Sequence, residues 1–299
     1  MSLFTLGARL AADAQRLATT IKIPKEDAVR EIRKLAAFAL KLSPAQLAIR
    51  EREAPGRFDL SPYGIVFDRR LRGEPLMYIF GECPFYEHTF RITSDVLIPR
   101  PETELLVESV LRLIPETKRL SILELGTGSG CVGISVGLAR PLCTVTAIDV
   151  SDQALDVAKD NATRLGAKNV DFVCSDWYSA LAGRRYSLIV SNPPYVAEQD
   201  PHLDALRFEP VGALVAGRDG LSALKTVVAE APSFLDERGF LVVEHGYDQR
   251  DAVCQLFSAT GFESIESSLD LGGRPRVVLG CFASQSPNKQ KRKKSAVSA

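Results

Sequence analysis

Ser121-Ile122-Leu123-Glu124-Leu125-Gly126-Thr127-Gly128-Ser129-Gly130 is the stretch that decides the fold. Its first five residues read as a strand, and the glycines after them let the backbone turn tightly and approach a ligand closely. Segment 131–139 then reads as a helix, whose free N-terminal N–H groups point back at the loop. Strand, glycine loop and helix open a βαβ pattern that continues downstream. It predicts strands at Thr144–Asp149, Val170–Cys174, Tyr186–Ser191 and Phe240–Glu244, with helices over 152–165 and 221–236. Glu263–Leu269 and Pro275–Phe282, around Gly272-Gly273, read as an antiparallel pair. The fold class is therefore α/β, a Rossmann-like, doubly wound and mostly parallel sheet with a terminal antiparallel hairpin, over residues 99–283.

Upstream the period changes. Ala28, Ile32, Leu35, Ala39 and Leu42 recur at helical steps in a helix predicted over Lys25–Leu42, and Pro24 precedes its start. Ser43-Pro44 opens another helix, with serine at the N-cap and proline at the first helical position. Residues 1–75 are thus expected to form a small helical domain. Residues 76–98 break the pattern with Gly81 and Pro84, and Tyr86–Ile92 alternates as a strand does, so a hairpin linker is expected there.

The 299 residues are 45% hydrophobic and 25% charged, an ordinary soluble composition. Six scattered cysteines form no C-x-x-C pair, and His88, His202 and His245 are too dispersed for a metal site, so free thiols and no metal are expected. No segment reads as a signal peptide or as the roughly 18 apolar residues of a membrane span, which predicts a cytoplasmic protein. Lys+Arg and Asp+Glu are each 37, but residues 284–299 hold Lys289, Lys291, Arg292, Lys293 and Lys294 and no acid. The tail reads as disordered and basic, and the body is left acidic. An acidic body lacks the phosphate-neutralising surface that duplex DNA requires.

The candidate chemistry sits at strand ends. In open α/β sheets ligands bind at the carboxyl edge, and Gly126, Thr127, Gly128, Ser129 and Gly130 follow the first strand there. Asp149 ends the next strand, placed to accept bonds from two ribose hydroxyls. Gly128-Ser129-Gly130-Cys131-Val132-Gly133 also satisfies G-x-G-x-x-G, which keeps a dinucleotide-dependent dehydrogenase as a rival. No histidine and arginine set suited to hydride transfer supports it. Ser175-Asp176-Trp177 after the third strand offers groups for an adenine, the alternative being a half-buried surface aromatic. Asn192-Pro193-Pro194-Tyr195 follows the fourth strand, with two prolines that remove donors and stiffen the chain around the Asn192 side chain.

These segments, together with Arg72-Gly73-Glu74-Pro75-Leu76, Pro99-Arg100-Pro101-Glu102-Thr103-Glu104, Asp200-Pro201-His202-Leu203, Arg207-Phe208-Glu209-Pro210 and Glu244-His245-Gly246, resemble in order and spacing the release factor glutamine methyltransferase family of class I S-adenosylmethionine-dependent methyltransferases. The resemblance covers most of residues 70–282. It implies that Gly126 to Gly130, Asp149, Trp177 and Asn192 contact S-adenosylmethionine, and that Asn192, Pro193, Pro194 and Tyr195 hold a substrate glutamine. It implies peptide chain release factors as partners of the N-terminal domain. Residues 99–104 would lie over the cofactor, and Arg207 is expected to brace the neighbouring loop as an ion pair with Glu209. Three other readings remain open: glutamine methylation of a ribosomal protein, adenine methylation of DNA, which requires base flipping, and a binding protein without activity.

Overall fold

The structure is a computed structural model that describes residues 5–53 and 59–283; the basic tail 284–299 lies outside the described residues. The chain divides into two compact units, Met1–Glu82 and Cys83–Ala299. The first is a helical bundle of α1 (Leu6–Ile21), α2 (Lys25–Ala39), α3 (Pro44–Arg50), α4 (Ser61–Leu71) and α5 (Leu76–Phe80). Leu6, Leu10, Ala14 and Leu17 make the buried stripe of α1 and meet Ala28, Ile32, Leu35 and Ala36 of α2. Such stripes at three- and four-residue steps are what drive helices together. Within this apolar core Asp13 is buried, satisfied by Arg9 Nε at 2.8 Å and the Tyr63 hydroxyl at 3.0 Å. Ser43 and Gln46 close a reciprocal capping box at the start of α3.

α2 stops at Ala39, three residues before the predicted Leu42, and Lys41 takes a left-handed φ of 53°. The expected linker over 76–98 is also resolved differently. Pro75 precedes and Gly81 ends the short α5, so only β1 (Glu82–Phe85) and β2 (His88–Arg91) form the hairpin. Tyr86 belongs to its turn rather than to a strand, at φ 54°, with its N–H donated to Glu104 Oε1 at 2.8 Å.

In the second unit, α6 (Glu104–Leu113) precedes β3 (Ser121–Leu125), α7 (Cys131–Ala139), β4 (Thr144–Asp149), α8 (Asp152–Leu165), β5 (Val170–Cys174) and β6 (Tyr186–Ser191). These spans from β3 onward are the predicted ones. α9 (Ser222–Glu230) is shorter than expected because Pro232, which lacks an N–H and crowds the preceding turn, ends it in a single 3-10 turn. β7 (Leu235–Glu244) consequently starts five residues before the predicted Phe240, with Leu235 already paired to Tyr186. α10 (Arg250–Thr260), β8 (Phe262–Leu269) and β9 (Pro275–Phe282) complete the chain. The seven-stranded sheet has the order β5-β4-β3-β6-β7-β9-β8, parallel as far as β7 and antiparallel beyond it. Two apolar clusters cover its faces, one including Val107 and Val132, the other Leu224 and Phe257.

One buried side chain ties the hairpin to the glycine loop. Asn161 of α8 accepts from Arg91 N at 2.7 Å and donates Nδ2 to Arg91 O at 2.8 Å and to Ser129 O at 2.9 Å. Asn161→Ala would leave three backbone groups without this partner at a site that is buried on the Ser129 side and partly buried at Arg91, a loss of about 2 to 4 kcal/mol at roughly 1 kcal/mol per bond. Thermal unfolding checks this, and a melting temperature equal to that of the wild type would show the three bonds to be idle.

Candidate active site

Strand register brings the predicted residues to one line. Leu125 of β3 pairs with Ile148 of β4 and with Ser191 of β6, so Gly126, Asp149 and Asn192 each follow a residue of the same row. Asp149 pairs in turn with Cys174, whose chain continues into Ser175 to Trp177. Ser191 pairs with Val243, which sets Glu244 beside Asn192. The strand order reverses between β3 and β6, and such a switch point leaves a crevice outside the carboxyl ends.

A cavity of about 490 Å³ occupies this crevice. Gly126, Thr127, Gly128, Ser129, Asp149, Trp177, Asn192 and Pro194 line it; Gly130, Pro193 and Tyr195 do not. Gly128 stands at φ 54°, and a Cβ on Gly126 or Gly128 would meet no atom within 4 Å, so the loop presents bare backbone to the cavity. The third glycine of the dinucleotide fingerprint, Gly133, has a different task. A side chain there would collide with Glu124 Oε2, so Gly133 makes room for a buried carboxyl. Glu124 accepts the Thr127 hydroxyl at 2.6 Å, and burial pushes its pKa up to about 7 against that bond and one from the Gly133 N–H.

Asp149 shapes the loop as well as facing the cavity. Its Oδ2 accepts from Gly128 N at 2.9 Å and its Oδ1 from Ser151 N at 3.0 Å. A carboxylate has about four acceptor sites, so each oxygen can take one further donor. Trp177 is set in a left-handed turn, φ 46°, by the Ser175 hydroxyl, which donates to Trp177 O at 2.8 Å and accepts from Ala180 N at 3.0 Å.

Asn192 donates Nδ2 to Thr103 Oγ1 at 3.2 Å, leaving Oδ1 as its acceptor for a ligand. Tyr195 is half-buried beside the cluster that contains Leu224, and its hydroxyl donates to Glu244 Oε1 at 3.2 Å. Burial and the Glu244 charge raise the Tyr195 pKa, which keeps the phenol neutral. Glu244 is itself buried, and its carboxyl is pushed up to about 7 by desolvation, opposed by the hydroxyls of Thr103 and Tyr195. Neither Thr103 nor Glu244 has a role in the sequence reading, although both stand in segments quoted there.

The loop pairing differs from expectation. Glu209 pairs with Arg100, not Arg207: it turns inward, is 5% exposed, and its Oε1 lies 2.5 Å from Arg100 Nη2 while Oε2 accepts from Ile98 N at 3.1 Å. Arg207 instead lays its guanidinium over the Phe208 ring, 4.9 Å from the centroid. Residues 98–100 are thereby clasped to the segment around Glu209 beside the cavity. Glu209→Ala, which strands Arg100 and the Ile98 N–H, should cost about 2 kcal/mol, less than a fully buried pair because Arg100 is partly exposed. Denaturant titration reads this directly, and an unchanged midpoint would remove the clasp from the account.

Among the described residues there is no group of three or more histidine, cysteine or acidic side chains able to hold a metal, and no helix long and apolar enough to cross a membrane. Residues 101–208 match the methyltransferase small domain, and residues 13–81 the PrmC N-terminal domain. A 16S rRNA N2 methyltransferase of T. thermophilus, solved with AdoMet and guanosine, aligns at a TM-score of 0.51 and 18% identity, covering 67% of this chain and 49% of that one, a likeness of fold. The release factor glutamine methyltransferase of Neisseria gonorrhoeae is 47% identical over 218 residues, 72% of this chain and 79% of that protein. That of Coxiella burnetii is 41% identical over 266 residues, 89% of this chain and 95% of the relative. With such identity over nearly the full length of both proteins, the chain belongs to the release factor glutamine methyltransferase family.

Proposed function

We propose that the protein transfers a methyl group from S-adenosylmethionine to the side-chain amide nitrogen of the glutamine in the Gly-Gly-Gln motif of peptide chain release factors. The observation that carries the reading is the register of β3 and β6, which sets the bare glycine loop and the Asn192 amide side by side on one cavity. The residues fit the cofactor: open backbone at Gly126 and Gly128, spare acceptor capacity on Asp149 for ribose hydroxyls, and the Trp177 wall for an adenine. When bound, S-adenosylmethionine supplies a methyl group already activated by its sulfonium.

An amide nitrogen is a poor nucleophile because its lone pair is delocalised, so the chain's contribution is orientation. Asn192 Oδ1 and the Pro193 backbone carbonyl each accept one N–H of the substrate amide, which aims its nitrogen and favours the positive charge that it gains. Tyr195 flanks the amide plane, and no strong base is required; the product proton passes to water. We assign the helical N-terminal region, residues 1–75, to recognising the release factor, and residues 99–283 to transfer, in the reducing cytoplasm where the six cysteines stay free.

The test is an incubation with radiolabelled S-adenosylmethionine and, separately, release factors, ribosomal proteins and duplex DNA. Label on the release factor peptide supports the reading. Label on ribosomal protein or DNA alone overturns it.

A further inference from the structure

Behind the Asn192 segment lies a buried carboxyl for which the transfer as described has no use. Glu244 is 1% exposed at the end of β7; its Oε1 accepts from Tyr195, and its Oε2 is buried with no hydrogen-bond partner of good geometry. It is not held for an ion pair, because Arg276, the basic group acting on it from β9, is bonded to Asp270 at 3.0 Å. Thr103 is itself buried; its Oγ1 receives Asn192 Nδ2, which leaves its hydroxyl proton for another acceptor, and it lies near enough to Glu244 to lower the carboxyl's pKa. A hydroxyl has one proton, so what it donates to decides what it must accept.

We propose that Glu244 is a positioning residue for methyl transfer: its carboxylate takes the hydroxyl protons of Thr103 and Tyr195, which obliges Thr103 to accept from Asn192 Nδ2 and turns Asn192 Oδ1 to the substrate amide. An asparagine amide is nearly symmetric in shape, so packing alone does not choose between its two orientations. The wrong one presents NH₂ to the substrate's NH₂, donor against donor. The proposal rests on the function assigned above and names what enforces that geometry.

The consequence has a sign. Only the ionised carboxylate is acceptor alone; once protonated it can donate to Thr103 and release the amide. Burial places this ionisation at about 7, with Glu102 raising it and Arg276, Thr103 and Tyr195 lowering it; the neighbouring His245, its own pKa lowered by burial, is neutral there. Turnover should therefore fall as pH drops through about 7 and level off above it.

The test compares Glu244→Gln, Thr103→Val and Thr103→Ser with the wild type on a release factor. Glutamine carries both donor and acceptor, so Glu244→Gln should lower kcat by on the order of tenfold or more, flatten the limb near neutral pH, and leave KM and cofactor affinity within about threefold. Thr103→Val should lower kcat likewise and Thr103→Ser restore most of it, a pair that carries the test if Glu244→Gln fails to fold. Unchanged kcat in Glu244→Gln and Thr103→Val, a pH limb identical to that of the wild type in Glu244→Gln, or failure of serine to rescue would each overturn the proposal. A wild type that labels no release factor removes the proposed function and this inference with it; a wild type that labels beside unimpaired variants removes this inference alone.

Discussion

Asn192→Ala is expected to fold, to keep much of its affinity for S-adenosylmethionine, and to transfer methyl groups more slowly by on the order of a hundredfold or more, the scale of removing a preorganised polar contact. The backbone should not follow the side chain out of place, because Pro193 and Pro194 fix their own φ and Ser191 remains bonded in the sheet, its hydroxyl to Leu125 O at 2.9 Å. What is lost is the acceptor, together with the bond to Thr103. The same argument applies from the substrate side. Replacing the Gly-Gly-Gln glutamine by glutamate keeps the length but offers a carboxylate, which has no N–H for Asn192 or Pro193 and sets negative charge against two carbonyl oxygens. Mass spectrometry should find one added methyl on the glutamine peptide and none on the glutamate peptide. Equal labelling of both peptides would sink the function.

Much of this site was legible because its parts are local. Each predicted strand from Ser121 to Ser191 ends where a mostly apolar run gives way to glycine or to polar residues, so the residues at and just past the ends could be named before their neighbours were known. What sequence could not supply is pairing across distance. Glu209 finds Arg100, 109 positions away, in preference to Arg207 two positions away, because inward rotation also satisfies the Ile98 N–H. Glu244 and Thr103 were visible as letters, but their meaning depends on the β6–β7 register and on the 3-10 turn Pro101–Thr103. Gly133 shows the reverse case. Its spacing fits a dinucleotide fingerprint, and only the buried Glu124 carboxyl against it shows what the missing side chain makes room for.

That distinction is what the Asp149 variants test. Losing charge-assisted bonds to the ribose, about 1.5 to 3 kcal/mol each, should weaken S-adenosylmethionine binding in Asp149→Ala by roughly ten- to a hundredfold. Part of the loss is indirect, since the same carboxylate holds the Gly128 and Ser151 N–H groups and so keeps the loop in the shape the ligand meets. Asp149→Asn should do no better than alanine despite its closer shape. Whichever way its amide turns, one of those two backbone N–H groups faces an NH₂, donor against donor, and the charge is gone. Isothermal calorimetry with S-adenosylmethionine and with NADH separates the outcomes. Weakened binding of the first and no binding of the second agrees with the assignment; unchanged affinity in Asp149→Ala removes Asp149 from the site, and tight NADH binding by the wild type would restore the dehydrogenase.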